Sequence, residues 1–500
     1  MLERSAIHWS TSQSLVYYLD IIALTLVSFF LYRVLIASWT YLRSLHQLPL
    51  PPGPPGLPII GNLFDMPKEK DWVAFSKWGD TYVFGMTFVI INSHSTALSI
   101  LEHQNSKTSD RPIVPMASDL VGWKNTTGFM PYGETMRSHR TPAACKAFHS
   151  HVELEMHRFL KRLLADPESK RLKEHIRKTA GSIVLRISHG YQVQEANDPF
   201  VDLAEKAVQQ LVQAINPATF FVNVVPALRY LPEWFPGGSF QKTAREWAAT
   251  LDDLAGKPFA FVKSQMLLDS DRALSAEEET DIKWSASSLY GAGVDTTYAI
   301  IYTFFKVMIL YPEVQAKAKA EIDQVVGNQR LPCMEDRKHL PYINGIVLEL
   351  YRWHIVLPTA IPHRSTEDLI YNNYFIPKGS IILPNVWKMT HDPTIYHSPM
   401  TFKPERFTQP ELERDPRQFM FGFGRRICAG RHLADVSIFL ACAMVLSVFD
   451  ITRYRDENGE AFMPDTEVTS GISSYPSDFR CTILPRSENA GVLVQAELAG

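Results

Sequence analysis

Ten residues towards the C-terminal end constrain this chain most: Phe421-Gly422-Phe423-Gly424-Arg425-Arg426-Ile427-Cys428-Ala429-Gly430. A single cysteine sits in a glycine-punctuated loop, two arginines precede it, and an apolar helical pattern follows through Leu433, Val436, Phe439, Leu440 and Met444. Gly424 can take positive φ in a tight turn, and Gly430 removes a side chain where backbone must pass close. Any fold of this chain must set that turn against the start of a buried helix. Two readings are open. One is a turn with a buried free thiol, since unpaired cysteine is among the most buried residue types. The other is a loop built to present one thiolate.

A lone thiolate held this way suits an axial ligand to haem iron, pushing electron density towards bound oxygen. Arg426 would then offer a charge-assisted fork to a carboxylate such as a haem propionate. The remaining cysteines (Cys145, Cys333, Cys442, Cys481) are far apart, leave an odd total of 5 and form no C-x-x-C. That argues against a disulfide framework, a zinc ribbon or an iron–sulfur cluster, and fits a reducing, cytosol-facing setting. A net charge of −3 with scattered basic residues argues against a nucleic-acid partner.

Residues Ile21 to Trp39 are almost wholly apolar, interrupted by Arg33. About twenty residues span a bilayer, so residues 1–40 read as a retained membrane anchor, with Arg33 snorkelling to the interface. A cleaved signal peptide would want positive charge ahead of the run and small residues behind it, and neither is clear. A buried core helix is a third reading, and flanking charge does not set an orientation. Residues 41–61 hold Pro49-Leu50-Pro51-Pro52-Gly53-Pro54-Pro55-Gly56-Leu57-Pro58, a stiff, extended hinge.

Residues 62–500 form the globular part, and 46% hydrophobic composition supplies a large core. Tyr82–Phe84 and Phe88–Ile91 predict a small hairpin around Gly85-Met86. Ser95 to Val326 reads as largely helical, with short strands returning in Leu369–Leu383 and between Ile472 and Pro485. The fold class is mainly α with small β-sheets.

Asp281 to Leu310 reads as one long helix containing Gly291-Ala292-Gly293-Val294-Asp295-Thr296-Thr297. Glycine in a helix interior costs ~1 kcal/mol relative to alanine, so two call for a reason. A local widening that admits a small ligand is one, with Asp295 and Thr296 passing protons; close helix packing with a solvated aspartate is the other. Glu349 and Arg352 share a helical face in an apolar stretch, and Arg406 is a third member of a structural charge cluster. Met136-Arg137-Ser138-His139-Arg140 could neutralise a buried anionic cofactor or form a basic surface. The sequon Asn125-Thr126-Thr127 reads as chance on a cytosol-facing domain.

Taken together, these motifs resemble the cytochrome P-450 family of haem-thiolate monooxygenases, over essentially everything after the anchor. The loop fits F-x-x-G-x-R-x-C-x-G through Phe421, Gly424, Arg426, Cys428 and Gly430. The helix motif fits through Ala292, Gly293, Asp295, Thr296 and Thr297, and E-x-x-R through Glu349 and Arg352, with Arg406 from P-E-R-F. The resemblance implies a P-450 fold preceded by an N-terminal transmembrane helix, and haem b with Cys428 as iron ligand. It makes Arg426, Arg140 and Arg364 propionate contacts, with His363 an alternative to Arg364. The family's usual tryptophan four residues before Arg140 is here Met136. Asp295 and Thr296 would deliver protons to dioxygen.

The same resemblance implies a hydrophobic small-molecule substrate (aromatic, terpenoid or polyketide-like) walled by 116–123, 220–225, 355–362 and 470–473. It further implies electrons from NADPH-cytochrome P-450 reductase docking near Cys428, and contact with membrane lipid. The placement is a single-pass endoplasmic reticulum protein with its catalytic domain facing the cytosol. Stretches such as GNLFDMPKEKDW and MPYGETMR look like enzymes of fungal secondary metabolism or xenobiotic oxidation. A reductase-independent isomerase or dehydratase is the alternative, and a non-catalytic haem sensor a third reading.

Overall fold

The computed structural model describes Tyr18 and residues 20–37, 48–56, 61–62, 64–67, 69–78, 80–83, 86–138, 148–195, 197–216, 219–266 and 274–496. Helix α1 covers Asp20–Ala37. Strands β1 (Asp80–Val83) and β2 (Met86–Ile91) follow, then α2 (His149–Leu164), α3 (Leu172–His189), α4 (Pro199–Ile215), α5 (Phe240–Met266) and α6 (Ala276–Leu310). Next come α7 (Pro312–Val325), α8 (Pro341–Trp353), β3 (His363–Arg364), β4 (Leu369–Tyr371), β5 (Tyr374–Ile376) and β6 (Ile381–Pro384). The chain closes through α9 (Arg431–Val448), β7 (Phe449–Arg453), β8 (Cys481–Pro485) and α10 (Glu488–Ala496).

Helix α6 starts five residues earlier than its apolar pattern predicts, because a capping box starts it at Ala276. Ser275 Oγ accepts from Glu278 N at 3.2 Å while Glu278 Oε2 accepts from Ser275 N at 2.9 Å. Glu277, Glu278 and Glu279 fill the first turn, where the helix dipole favours negative charge. At the other end Pro312 cannot continue the helix and instead opens α7. From Thr297 to Ile309 every residue of α6 is buried, so this half is a core helix enclosed on all sides rather than an amphipathic one.

That half of α6 anchors the main core, with Phe159 of α2, Leu350 of α8 and Phe439 and Met444 of α9. Phe159 and Phe305 meet edge to face at 6.2 Å between ring centroids. A second core gathers the π-helical turn Pro115–Val121, α3, α4, α5 and the N-terminal half of α6 through Met116, Leu185, Ala204, Leu251 and Tyr290. The site residues of α6 fall where the two cores meet.

The larger sheet runs β1-β2-β6-β3. β1 and β2 are antiparallel, as the hairpin reading expects, although Phe84 and Gly85 of its turn lie outside the described residues. β2 pairs in parallel with β6, Phe88 opposite Ile381, so the helical body is inserted between two neighbouring strands. β7 and β8 form a separate antiparallel pair. The proline hinge is non-helical over 48–56, and the Pro49 carbonyl accepts from Phe375 N at 2.8 Å, tying it to β5. Helix α1 has a mean hydropathy of 2.0, with none of it buried against the rest of the chain.

Candidate active site

The cysteine loop is shaped by its glycines and closed by one hydrogen bond. Gly424 has φ +54, and a Cβ there would stand 2.3 Å from the Leu101 carbonyl oxygen, so both conformation and space require glycine. Cys428 N donates to the Phe421 carbonyl at 2.8 Å. Gly430 precedes α9, and a Cβ on it would lie 3.8 Å from Cys428 Sγ, the space a side chain would take beside the sulfur.

The buried-thiol reading does not hold, because Cys428 is exposed. Cys442 and Cys481 are buried, and burial pushes both thiols up, Cys481 to about 12. Burial likewise raises Cys333 to about 11, and its thiol donates to Asp336 Oδ2 at 3.4 Å. A metal takes the thiolate, not the thiol. Cys145 lies outside the described residues.

Helix α6 passes through Gly291 and Gly293 as an unbroken α-helix, so the expected widening of the backbone is not present. Gly293 instead lets α3 approach closely. What the motif does supply is an opening in side-chain cover: Ala292 is exposed and Thr296 half-buried, one turn apart, just before the helix becomes fully buried. Thr296 Oγ1 donates back to the Ala292 carbonyl at 2.8 Å, which leaves its lone pairs available as acceptors. Burial pushes the Asp295 carboxyl above its ordinary value; Arg177 pulls it down and Glu205 pushes it up.

Glu349, Arg352 and Arg406 meet in the interior, each essentially unexposed. Arg352 grips Glu349 side-on, Nε to Oε2 at 2.8 Å and Nη2 to Oε1 at 2.7 Å. Arg406 Nε reaches the same carboxylate at 3.0 Å, and Lys403 N donates to Oε1 at 2.8 Å. Other guanidinium hydrogens go to the carbonyls of Thr390, Pro399, Thr401 and His397. Sequence reasoning missed Glu413, whose Oε2 accepts from Arg406 Nη1 at 2.7 Å and balances the second cation.

Of the expected anion-binding residues, Arg140 lies outside the described residues, while Met136 is buried. Arg426 is buried, with Nε on the Ser109 carbonyl at 2.7 Å, Nη2 on Met130 at 2.7 Å and Nη1 on Thr127 at 3.2 Å. Arg364 is partly exposed, with Nη1 3.8 Å from Asp110 Oδ2. His363 is buried, its Nδ1 2.8 Å from the Thr108 carbonyl, and burial followed by Arg111 drives its pKa down to about 3. Arg111, which the sequence hides in an unremarkable Ser-Asp-Arg-Pro turn, is also buried: Nη1 donates to Ile361 and Pro362 carbonyls at 2.8 and 2.7 Å.

A statistical model of the family described as Cytochrome P450 matches residues 51–476. The chain belongs to the cytochrome P450 family. It is 42% identical over 483 residues to cytochrome P450 monooxygenase 208 of Postia placenta, covering 91% of this chain and 94% of that one. Cytochrome P450 monooxygenase claR of Ampulloclitocybe clavipes is 42% identical over 477 residues, covering 89% and 88%. Cytochrome P450 monooxygenase ppsD of Aspergillus oryzae is 41% identical over 484 residues, covering 89% and 91%. This P450 is thus a haem-thiolate monooxygenase of a fungal family. The family's cofactor is haem iron held by a cysteine thiolate. The donor set fits such a group: the loop presents one solvent-exposed sulfur, with Gly430 beside it adding no side chain.

Proposed function

We propose that this P450 is a membrane-anchored enzyme that inserts one oxygen atom from dioxygen into hydrophobic small molecules, with Cys428 as its iron ligand. The observation that carries the proposal is the exposed Cys428 in a loop that Gly424 and the Cys428–Phe421 hydrogen bond hold in place. Haem, when bound, supplies the oxygen-activating chemistry. The chain supplies position, charge and protons.

Phe421 and Gly430 frame the ligand sulfur. Arg426, with Arg364 and Arg140, neutralises the carboxylates of the group, and Arg111 joins them. Arg111 and Arg426 both depress the His363 imidazole, which places two buried guanidiniums on one side of the site. Asp295, raised by burial, keeps its proton to higher pH than a free carboxyl, as a proton donor must. Thr296 Oγ1 donates to Ala292 at rest; it would relay a proton by accepting one from a neighbour and turning its own O–H from that carbonyl towards the next acceptor. The fully buried half of the helix excludes water behind them.

Helix α1 is about 27 Å long at ~1.5 Å per residue, close to the ~30 Å of a bilayer core. With the proline hinge pinned to β5, this supports an anchored catalytic body, which the proposal sets on the cytosolic face of the endoplasmic reticulum. Electrons would come from NADPH through a membrane-bound reductase. Aromatic, terpenoid or polyketide-like compounds of secondary metabolism, or xenobiotics, would be the substrates. The test is the reduced, carbon-monoxide-bound spectrum. A red-shifted Soret band that Cys428→Ser abolishes is expected; a histidine-type band, or one that survives Cys428→Ser, defeats the assignment.

A further inference from the structure

Lys306 sits inside an otherwise hydrophobic stretch of α6, Tyr302-Thr303-Phe304-Phe305-Lys306-Val307-Met308-Ile309, and its side chain is 1% exposed. An apolar residue would fill that space more cheaply, because a buried ammonium keeps its charge only where oxygens replace water. Four contacts do so. Nζ is 3.1 Å from Asp465 Oδ1, 2.7 Å from Ser477 Oγ, and 3.4 and 3.5 Å from the carbonyls of Glu467 and Ser477. Burial pulls the ammonium's pKa down, against the upward pull of Asp465. Asp465 Oδ1 also accepts from Glu467 N at 2.9 Å and from the Ser477 hydroxyl.

All of these partners belong to one arm, residues 465–477. It folds back on itself through Ser477 N to the Glu467 carbonyl at 2.9 Å and Thr469 N to the Tyr475 carbonyl at 2.8 Å, with Gly471 at φ +138 near its tip. The tip is held separately. Ser474 N donates to the Val356 carbonyl at 2.8 Å, and His354 Nε2 lies 3.0 Å from the Ser474 carbonyl. Tyr475 packs 6.0 Å from Tyr298, one turn of α6 beyond Asp295. Lys70 N donates to Ser470 Oγ at 2.9 Å, and its ammonium pairs with Glu467. So the arm bridges the 354–356 segment and the face of α6 that bears Asp295, Tyr298, Tyr302 and Lys306 at helical spacing.

We propose that Lys306 is a positioning residue for substrate selection: its tie to Asp465 and Ser477 sets where the arm tip stands beside the oxygenation site. This rests on the monooxygenase reading above, in which Asp295 and Thr296 deliver protons at the oxygenation site. A buried charge in place of a packed apolar side chain adds little stability, but it admits only one register of the arm.

The test uses the full-length, haem-loaded protein and two probes, imidazole and the bulkier 4-phenylimidazole, each read by its Soret shift. Lys306→Met keeps the stem and removes the charge. Amide exchange across 465–477 is expected to speed up about tenfold. Affinity for 4-phenylimidazole is expected to change about fivefold while that for imidazole stays within about twofold. Asp465→Asn and Ser477→Ala cut the same tie from the surface side, should give the same pattern, and carry the test if Lys306→Met does not fold. Unchanged exchange, or faster exchange with both affinities unchanged, overturns the role, as does a parallel loss of both affinities, which would mark a damaged haem site. A wild-type protein giving no Soret response to either probe overturns the haem reading beneath it, and the positioning role with it.

Discussion

Gly293 on α6 lies directly beneath Val184 on α3: a Cβ built on the glycine would stand 2.9 Å from Val184 Cγ2. Gly291, one half-turn earlier, would meet nothing within 4 Å. The two glycines of one motif therefore behave oppositely. Gly293→Ala should overpack the α3–α6 seam and destabilise by about 1–3 kcal/mol, and Val184→Ala should recover part of that loss in a double-mutant cycle. Gly291→Ala should be neutral or stabilising by up to ~1 kcal/mol, as for any helix-interior glycine with room. Denaturant melts of the variants check this; equal costs at both sites would contradict the packing.

Glu349 is the single carboxylate that both Arg352 and Arg406 share, with all three side chains out of water. Glu349→Ala would leave two guanidiniums without it, a loss of about 3–5 kcal/mol typical of breaking a buried pair. The expected outcome is loss of soluble, haem-retaining protein rather than altered selectivity. Glu413→Gln should be milder, since Glu413 is partly exposed, holds only one of the two guanidiniums, Arg406, and its other partner is the exposed His397. Haem content per purified chain distinguishes the two. A soluble holo Glu349→Ala of ordinary stability would remove the cluster's structural role.

Much of this was legible in the sequence because the responsible residues are close along the chain. The cysteine loop, the Glu349–Arg352 pair and the long helix are local patterns, and a capping box merely moved the start of α6. What was not legible depends on contacts between distant segments. Arg111 grips 361 and 362, Glu413 completes the Arg406 pair, and Lys306 reaches 465–477. None of these carries a spacing signal. The glycine motif left two readings open for the same reason: whether glycine opens a helix or seats a neighbour depends on Val184, more than a hundred residues away.

Thr296 donates its hydroxyl to the Ala292 carbonyl at 2.8 Å, so its removal deletes a hydroxyl relay without unpacking a core side chain. Thr296→Ala should fold and hold haem normally, while product formed per NADPH consumed falls by about a hundredfold, the low end of what a positioned proton-transfer group contributes. The measurement is NADPH oxidation and product yield in parallel in the reconstituted system. Unchanged coupling would take Thr296 out of the proton path and leave it a helix residue with a satisfied hydroxyl.

Asp295 gives a test that needs no substrate. Burial raises its carboxyl above the ordinary range, Glu205 adds to that rise and Arg177 opposes it. Below the ordinary carboxylate range the group is protonated in both the native and the unfolded chain, and its contribution to stability is fully present. As pH rises, the unfolded carboxyl ionises first while the native one keeps its proton. Stability is therefore lost through this window, at no more than about 1.4 kcal/mol per pH unit for one proton. The loss levels off once the native carboxyl ionises. Asp295→Asn carries no such term, so the variant should gain on the wild type progressively across that window and hold a constant lead above it. Urea denaturation of both proteins from pH 4 to about 8 reads the difference directly. A difference independent of pH would mean that Asp295 titrates as an ordinary exposed carboxylate, and it could not then serve as the proton donor on α6.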